Sequence, residues 1–368
     1  MSVNKIPLRK RIGLELFRRY KRNEAKLHGL NYLFWECTLR CNLSCRHCGS
    51  DCHQDAAQKD MPLADFLRVL DSIKPHVDPH KTMIVVTGGE PLMRLDLEQC
   101  GQAFYEQEFP WGFVTNGLAL TPQRLDRLIN SGLRAVTVSL DGFEPEHNYM
   151  RGNKKSFANA VTVIQALINR QEHLVFDVVT CVSARTFTEL PKLKEFLIAL
   201  GVKRWRVFTI FPHGRAAENS DLQLSPAQFK SLFDFIRKTR KEGRIRLDYG
   251  CEGFVGSYEN EVRDHFFFCR AGVTVGSVLA DGSIGACPSI RSDYTQGNIY
   301  TDDFMDVWNN RYEVYRDRRW AKTDECADCK HFRYCEGNGI HLRNSDGKLQ
   351  FCHLKRIEEG ELNNNRIK

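Results

Sequence analysis

From residue 31 onward, short runs rich in β-branched and aromatic residues alternate with longer stretches whose apolar residues recur every three or four positions. The short runs predict strands and the longer stretches predict helices. The predicted strands are Asn31–Glu36, Lys81–Thr87, Trp111–Thr115, Arg134–Leu140, Leu174–Cys181 and Lys203–Ile210. The predicted helices lie near 62–75, 96–107, 122–131, 156–170 and 188–200. Six strand–helix steps predict an α/β fold with parallel strands, a partial (β/α)6 TIM-like barrel rather than eight-fold closure.

The pattern changes towards the C-terminus. One more helix is predicted near 225–242, and from Cys251 the chain becomes loop-rich and dense in cysteine. An Asp-Gly pair at 281–282 predicts a hairpin between 273–279 and 283–286. Such a tail has few long periodic segments with which to build an apolar core, so bound metal would explain how it folds. The predicted division is an N-terminal arm (1–28), a partial barrel (29–215), a connecting helical segment (216–250) and a small cysteine-dense domain (251–368).

The charge of the chain is concentrated at its N-terminus. The net charge is +7, and residues 1–26 hold nine Lys or Arg against two Glu, so the rest of the chain is neutral. Apolar residues are interleaved with these cations, which allows two interpretations. The arm is either a basic amphipathic helix that seeks an anionic membrane or a partner, or a helix docked on the body with a solvated basic face.

The composition favours a cytoplasmic protein, at most peripheral at the inner membrane face. No apolar run reaches the roughly 18 residues that cross a bilayer, and the N-terminus lacks the apolar core of a secretory signal. The 14 cysteines are therefore expected to bind metal or do redox chemistry rather than to form a disulfide framework.

Five of these cysteines lie within residues 37–52, directly after the first predicted strand. Cys41, Cys45 and Cys48 have x3 and x2 spacing, which suits an iron–sulfur cluster with three protein ligands. A structural zinc that uses Cys45, Cys48 and two other thiols is the alternative that spacing leaves open. The next predicted strand ends in Gly88-Gly89-Glu90-Pro91, and the fourth ends in Ser139-Leu140-Asp141-Gly142.

Together these motifs resemble the radical S-adenosylmethionine (SAM) superfamily over about residues 31–215. The resemblance implies that Cys41, Cys45 and Cys48 hold a [4Fe–4S] cluster whose fourth iron chelates SAM. One electron then cleaves SAM to a 5′-deoxyadenosyl radical that abstracts hydrogen from the substrate. The implied SAM-contacting residues are Gly88, Gly89, Glu90, Pro91, Ser139, Asp141 and Arg151. The glycine pair is expected to let the backbone approach the SAM ammonium, and the Arg151 guanidinium is expected to bind its carboxylate.

Several cysteines and one histidine fall outside this pattern. The family usually has an aromatic residue before the third cysteine, and here that residue is His47. Cys37 and Cys52 are expected not to be cluster ligands. Cys100 and Cys181 are assigned to packing.

The C-terminal region resembles the SPASM extension of the same superfamily, which carries auxiliary [4Fe–4S] clusters. The resemblance implies that one auxiliary cluster has the complete ligand set Cys326, Cys329, Cys335 and Cys352. A first auxiliary site would have at most Cys251, Cys269 and Cys287, because Gly339 stands where the family has a further cysteine. That site would then have a non-cysteine ligand, an open iron or no cluster, and its cysteines could instead be structural or hold zinc.

The resemblance implies an oxidoreductase, a maturase that acts on a peptide or small protein and takes electrons from an external donor such as flavodoxin or ferredoxin. No nucleic-acid partner is expected. Pro288 follows Cys287 where sulfatase-oxidising relatives have an aspartate, which counts against that activity. The overall arrangement, with its basic N-terminal arm and with Gly339 in place of a cysteine, resembles a branch of the superfamily associated with small lipoproteins. Two alternatives remain open at this stage, a radical SAM oxidoreductase of small molecules and a non-catalytic iron–sulfur scaffold.

Overall fold

The computed structural model describes residues 3–250, 252–290 and 294–366, with side chains through residue 363. The strands, numbered in chain order, are β1 (Tyr32–Thr38), β2 (Met83–Gly88), β3 (Trp111–Thr115), β4 (Leu133–Ser139), β5 (Val175–Val182), β6 (Arg204–Thr209), β7 (Arg246–Tyr249), β8 (Val275–Val278), β9 (Ser283–Gly285) and β10 (Gly297–Asn298). The helices are α1 (Leu8–Leu27), α2 (Leu63–Ile73), α3 (Leu97–Glu106), α4 (Pro122–Asn130), α5 (Glu144–Arg151), α6 (Ser156–Ile168), α7 (Leu190–Leu200), α8 (Pro226–Glu242), α9 (Phe304–Asn310), α10 (Glu313–Arg316), α11 (Phe332–Cys335) and α12 (His353–Arg366).

One ten-stranded sheet organises the described chain, in the order β10-β9-β8-β1-β2-β3-β4-β5-β6-β7. Strands β1 to β7 run parallel, each beside the next in sequence. Alternate residues of these strands face the outer helices, where Trp35, Trp111 and Trp205 are fully buried. No pairing between β1 and β7 appears among the described residues, so the sheet is an open barrel, as the pattern predicted.

The prediction of six barrel strands was incomplete. A seventh parallel strand, β7, pairs with β6 through Arg204 and Arg246 and lies inside the segment expected to be a helical connection. The predicted hairpin is present as β8 and β9, and β8 also pairs in parallel with β1. The cysteine-dense region therefore extends the sheet of the barrel. Strand β7 was missed because its four residues are too few to carry a clear period-two signal.

The six helices predicted between residues 62 and 242 begin and end within two residues of the predicted positions, whereas α5 and α9 to α12 were not predicted. Helix α8 is an example, because Ser225 and Gln228 form a capping box and Pro226 occupies its first turn. Its buried face includes Phe229 and Phe233, and α12 packs beside it. The far end of the chain is thereby fixed to the barrel.

Helix α1 is docked on the body of the protein. Leu14 and Lys21 are buried, and Phe17 packs against Phe266 with ring centroids 5.5 Å apart. Lys21 Nζ donates hydrogen bonds to Tyr334 O (2.8 Å) and Glu336 Oε2 (2.6 Å). In the described part of the chain, no helix has the length and apolar character needed to cross a bilayer.

Candidate active site and cluster sites

The loop that carries the first three candidate ligands is fixed at several backbone positions. Cys41 N donates to His53 O (3.0 Å), and Arg46 N donates to Met150 O (2.9 Å) at the end of α5. Arg215 donates from its backbone N to Cys48 O (3.0 Å) and from Nε to Cys45 O (2.9 Å). The loop is therefore held between α5 and the segment that follows β6, at the carboxyl end of the barrel.

The pKa values of these three thiols are shifted in opposite directions by their surroundings. Burial raises the pKa of Cys41 to about 12 and also raises the pKa of Cys45. A hydrogen bond with the Cys52 thiol lowers the pKa of Cys48 to about 5. Cys41 and Cys45 are buried in one small group against which Cys48 packs. Three thiols gathered at one place, with no other role in the core, are a donor set that fits an iron–sulfur cluster.

The glycine turn after β2 makes close contacts with the start of the cysteine loop, and its expected approach to SAM stays a prediction. A Cβ on Gly88 would lie 2.1 Å from Thr38 O, and one on Gly89 would lie 2.3 Å from Arg40 O. Gly89 N donates to Thr38 O and Glu90 N donates to Arg40 O, both at 2.9 Å. In this structure the glycines let two backbone segments meet, and so they fix the start of the cysteine loop against β2.

Glu90 likewise has its carboxylate engaged by the protein. It is buried and accepts hydrogen bonds from Thr115 Oγ1 (2.9 Å), Asn116 N (2.8 Å) and Leu92 N (3.2 Å). Pro91 is buried beside it in the first position of a 3₁₀ turn. Glu90 thus ties the end of β2 to the end of β3, and its expected contact with SAM stays a prediction.

Glu90 gives a pH dependence that can be measured. Burial raises its pKa to about 7 from an ordinary 4.5, despite the opposing hydrogen bonds. The folded state then binds the proton more tightly, so this group's contribution to the free energy of unfolding falls by about 3 kcal/mol as pH rises from about 4.5 to 7. We expect the difference in unfolding free energy between wild type and Glu90→Gln to follow that curve in urea titrations. A pH-independent difference would contradict it.

Asp141 is the centre of a buried charged group at the end of β4, two residues after the nearly buried Ser139. Arg151 Nε donates to Asp141 Oδ2 (2.7 Å), and Arg151 Nη1 lies 3.8 Å from Cys45 Sγ. Burial alone would raise the pKa of Asp141, but Arg151, His47 and His147 outweigh burial and hold it at about 2. The ion pair holds the Arg151 guanidinium in place beside Cys45 of the cysteine loop.

His47 lies in the same group, with Nε2 3.7 Å from Asp141 Oδ2. Burial lowers its pKa to about 4, so the ring is neutral at pH 7. Its Nδ1 is buried and has no hydrogen-bond partner among the described residues. A buried polar atom without a partner fits a site completed by a ligand.

Cys181, which the sequence assigns to packing, lies beside this charged group. Its side chain lies within 4.8 Å of donor atoms of His47 and Asp141, and its backbone N donates to Asp141 Oδ1 (3.0 Å). The available sequence signal was its place at the carboxyl end of β5, the edge that carries the other site residues. Cys100, by contrast, is fully buried in the core, as expected.

This trio is the one three-residue group within the described ranges whose donor atoms are close enough for a single metal ion. The guanidinium of Arg151 already supplies the positive charge there. Tetrahedral zinc needs sulfur atoms about 3.8 Å apart, given Zn–S bonds near 2.3 Å. No three cysteines of the described ranges have their sulfur atoms that close together.

The second auxiliary set lies at the junction of α11, α12 and the preceding loop. Cys326 and Cys352 lie close enough to Cys335 to raise its pKa by charge repulsion. Cys329 affects the pKa of Cys326 in the same way. Burial raises the pKa of Cys335 and brings that of Cys352 to about 11. Arg343 Nη2 donates to Cys326 Sγ (3.5 Å), and Asn338 N donates to Cys335 Sγ (3.2 Å). These donors stabilise thiolates, so the set fits a four-cysteine cluster.

The first auxiliary site is only partly described. Cys269 and Cys287 are half-buried. Both lie close enough to Tyr315 to raise its pKa by charge repulsion. Cys251 lies outside the described residues. At the position of the missing cysteine, a Cβ on Gly339 would lie 2.5 Å from His341 Cε1 and 2.8 Å from Glu252 O. The imidazole of His341 therefore fills the space into which a cysteine at 339 would project.

This crowding predicts a coupled pair of substitutions. Gly339 has an ordinary φ of −63°, so Gly339→Ala strains the structure only by contact with its neighbours. We expect it to lower the free energy of unfolding by about 1–3 kcal/mol. In the His341→Ala background the same change should cost less, with the contact to Glu252 O as the remaining strain, and a double-mutant cycle of urea unfolding measures the difference. Additive losses would contradict the crowding.

Comparison with known families identifies the class. Residues 35–197 match the Radical SAM superfamily, and residues 269–330 match SPASM, described as an iron–sulfur cluster-binding domain. The chain is therefore an enzyme of the radical SAM superfamily with a SPASM domain, and its cofactors are iron–sulfur clusters and SAM. The SPASM match ends before Cys335 and Cys352, so the ligand assignments there stay predictions.

Among curated proteins, the chain is similar to the AdoMet-dependent heme synthase of Methanosarcina barkeri, with 27% identity over 82% of this chain and 89% of that protein. It is also similar to the mycofactocin maturase MftC of Mycolicibacterium smegmatis, with 28% identity over 83% of this chain and 76% of that protein. Among solved structures, Streptococcus suis SuiB bound to S-adenosylmethionine has a TM-score of 0.69 at 18% identity, covering 92% of this chain and 81% of SuiB. The structural likeness supports the barrel-plus-SPASM fold.

Proposed function

We propose that this enzyme modifies a peptide or small protein by radical chemistry. The observation that carries the radical step is the convergence of Cys41, Cys45 and Cys48 with the buried Asp141–Arg151 pair at the carboxyl end of the barrel. A maturase of similar length is among the relatives, and SuiB, which shares the fold, has been solved with its precursor peptide SuiA. These comparisons support the peptide class without naming the bond that changes.

The roles of this chain's residues follow from the geometry. When bound, the cluster and SAM supply a 5′-deoxyadenosyl radical. Cys41, Cys45 and Cys48 would hold the cluster, and Arg151, oriented by Asp141, would neutralise negative charge beside it. The neutral ring of His47 offers a flat apolar surface with a free nitrogen. Electrons would come from an external donor such as flavodoxin or ferredoxin and pass through the four-cysteine auxiliary site.

A second candidate substrate is an iron tetrapyrrole. The relatives include heme synthases and an Fe-coproporphyrin III synthase. The structure adds His213 and His341, neighbouring imidazoles whose Nε2 atoms are buried without a partner in the described part of the chain. Imidazole nitrogen is a common ligand of haem iron, and this is the observation that favours the second candidate.

One experiment separates these functions. The protein is reconstituted anaerobically, supplied with SAM and dithionite, and assayed for 5′-deoxyadenosine alone, with a small protein encoded beside it, and with Fe-coproporphyrin III. Product formation stimulated by the small protein, with a change in that protein's mass, supports the proposal. Stimulation by the porphyrin, with a change in the porphyrin's mass, favours the second candidate. No 5′-deoxyadenosine in any arm contradicts both.

A further inference from the structure

Helix α1 has an outer face that the docking on the body leaves uncovered. Four large apolar side chains follow one another at intervals of four residues on this face. They are Leu8, Ile12, Leu16 and Tyr20, with exposed fractions of 65%, 56%, 60% and 42%. Tyr20 marks the edge of this face, because one side of its ring packs against Phe268 of the body, with centroids 6.4 Å apart. Intervals of four residues place side chains on one side of a helix, so these residues form a continuous row, which we call the outer apolar row. Leu27, in the last turn, is also exposed.

Cations surround the outer apolar row. Lys5, Arg9, Arg11, Arg19, Arg22 and Lys26 are exposed, and none takes part in an ion pair with a described residue. The three other cations of the arm do have acidic partners. Lys10 pairs with Glu261, Arg18 with Glu15, and Lys21 with Glu336. The structure thus separates cations that fix the helix from cations that face outward.

Two acids of the arm, Glu15 and Glu24, stand against its nine cations, and Glu15 is already paired. The Glu15 carboxylate accepts hydrogen bonds from both Arg18 and Arg333. These bonds lower the pKa of Glu15 to about 2, so this acid is ionised and already paired. The remainder of the chain is electrically neutral by composition. The positive field of the protein is therefore concentrated on the same helix face as the exposed apolar row.

We propose that the outer face of α1 binds the surface of an anionic lipid bilayer. A helix of this length, about 30 Å, can lie in the interface with its apolar row in the acyl boundary and its cations among the headgroups. A second copy of the chain is disfavoured as the occupant, because pairing two such faces would bring like charges together. An acidic peptide would match the cations but would leave the apolar row without a partner. The inference does not depend on the substrate.

The test is flotation of the full reconstituted protein with two kinds of vesicle. One is phosphatidylcholine alone, and the other contains about one third phosphatidylglycerol. We expect flotation with the anionic vesicles only, weakened by raising salt. Leu16→Ser and the pair Arg19→Gln with Arg22→Gln should each reduce binding at least tenfold. Leu95→Ser is the matched control, because Leu95 is 95% exposed elsewhere on the surface.

Iron content and 5′-deoxyadenosine formation, unchanged in all these variants, show that the fold is intact. Flotation that does not depend on lipid charge, or that survives the α1 changes, overturns the proposal. So does a dimer in sedimentation experiments that Leu16→Ser dissociates, or binding to polyglutamate peptide in place of vesicles. Loss of SAM cleavage with vesicle binding retained would count against the proposed function alone.

Discussion

Replacing Cys45 with alanine should remove about four irons per chain and abolish 5′-deoxyadenosine formation, and Cys41→Ala and Cys48→Ala should do the same. The physical reason is that a cluster with three protein ligands has no spare thiolate, since its fourth iron is reserved for SAM. Both effects are measured on anaerobically reconstituted protein, by iron and sulfide analysis and by chromatography of the nucleoside. The auxiliary site should retain its own iron in each variant.

Cys37 and Cys52 are the controls, and Cys52 is the stricter one because it lies among the three proposed ligands. Cys37 is fully buried in β1, and its pKa is raised by burial, so Cys37→Ala should change stability only. The Cys52 thiol, however, contacts that of Cys48 and packs with Cys41 and Cys45. Cys52→Ala should nevertheless leave iron content and SAM cleavage intact. Loss of the cluster in that variant would contradict the assignment of three ligands.

Much of the fold could be predicted because its signals are local. The strands from β1 to β6 read as apolar runs between turn residues, and the cysteine spacing needs only consecutive positions. Pairing of β8 with β1 could not be predicted in this way, because it joins residues more than 240 positions apart. A four-residue strand gains its stability from that neighbour rather than from its own pattern.

The site shows the same division between local and distant information. Motifs identified Asp141 and Arg151, and the structure joins them in one ion pair. They did not identify Cys181, because its proximity to Asp141 follows from the register of β4 beside β5. Nor could the sequence show that His341 fills the space beside Gly339, since that contact depends on the turn between them.

The glycine turn yields the second large effect. Gly89→Ala should abolish SAM cleavage and release the iron of the three-cysteine site, although residue 89 carries no ligand atom. Its Cβ would lie 2.3 Å from the backbone oxygen of Arg40, directly before Cys41, and backbone cannot move aside as a flexible side chain can. Gly89 does not have a positive φ, so the effect is purely steric. We expect a loss of about 3 kcal/mol in unfolding free energy, measured in urea.

Gly49→Ala, in the cysteine loop itself, is the matched control. Gly49 directly follows Cys48, and a Cβ there would meet nothing closer than 3.9 Å, at His213 Cβ. That change should preserve iron, SAM cleavage and stability. If both variants lost the cluster, this region would be intolerant of any added methyl group. If Gly89→Ala kept the cluster, the close contact between the turn after β2 and the cysteine loop would be dispensable. Only loss of the cluster in Gly89→Ala, with its retention in Gly49→Ala, assigns Gly89 to positioning the cluster ligands.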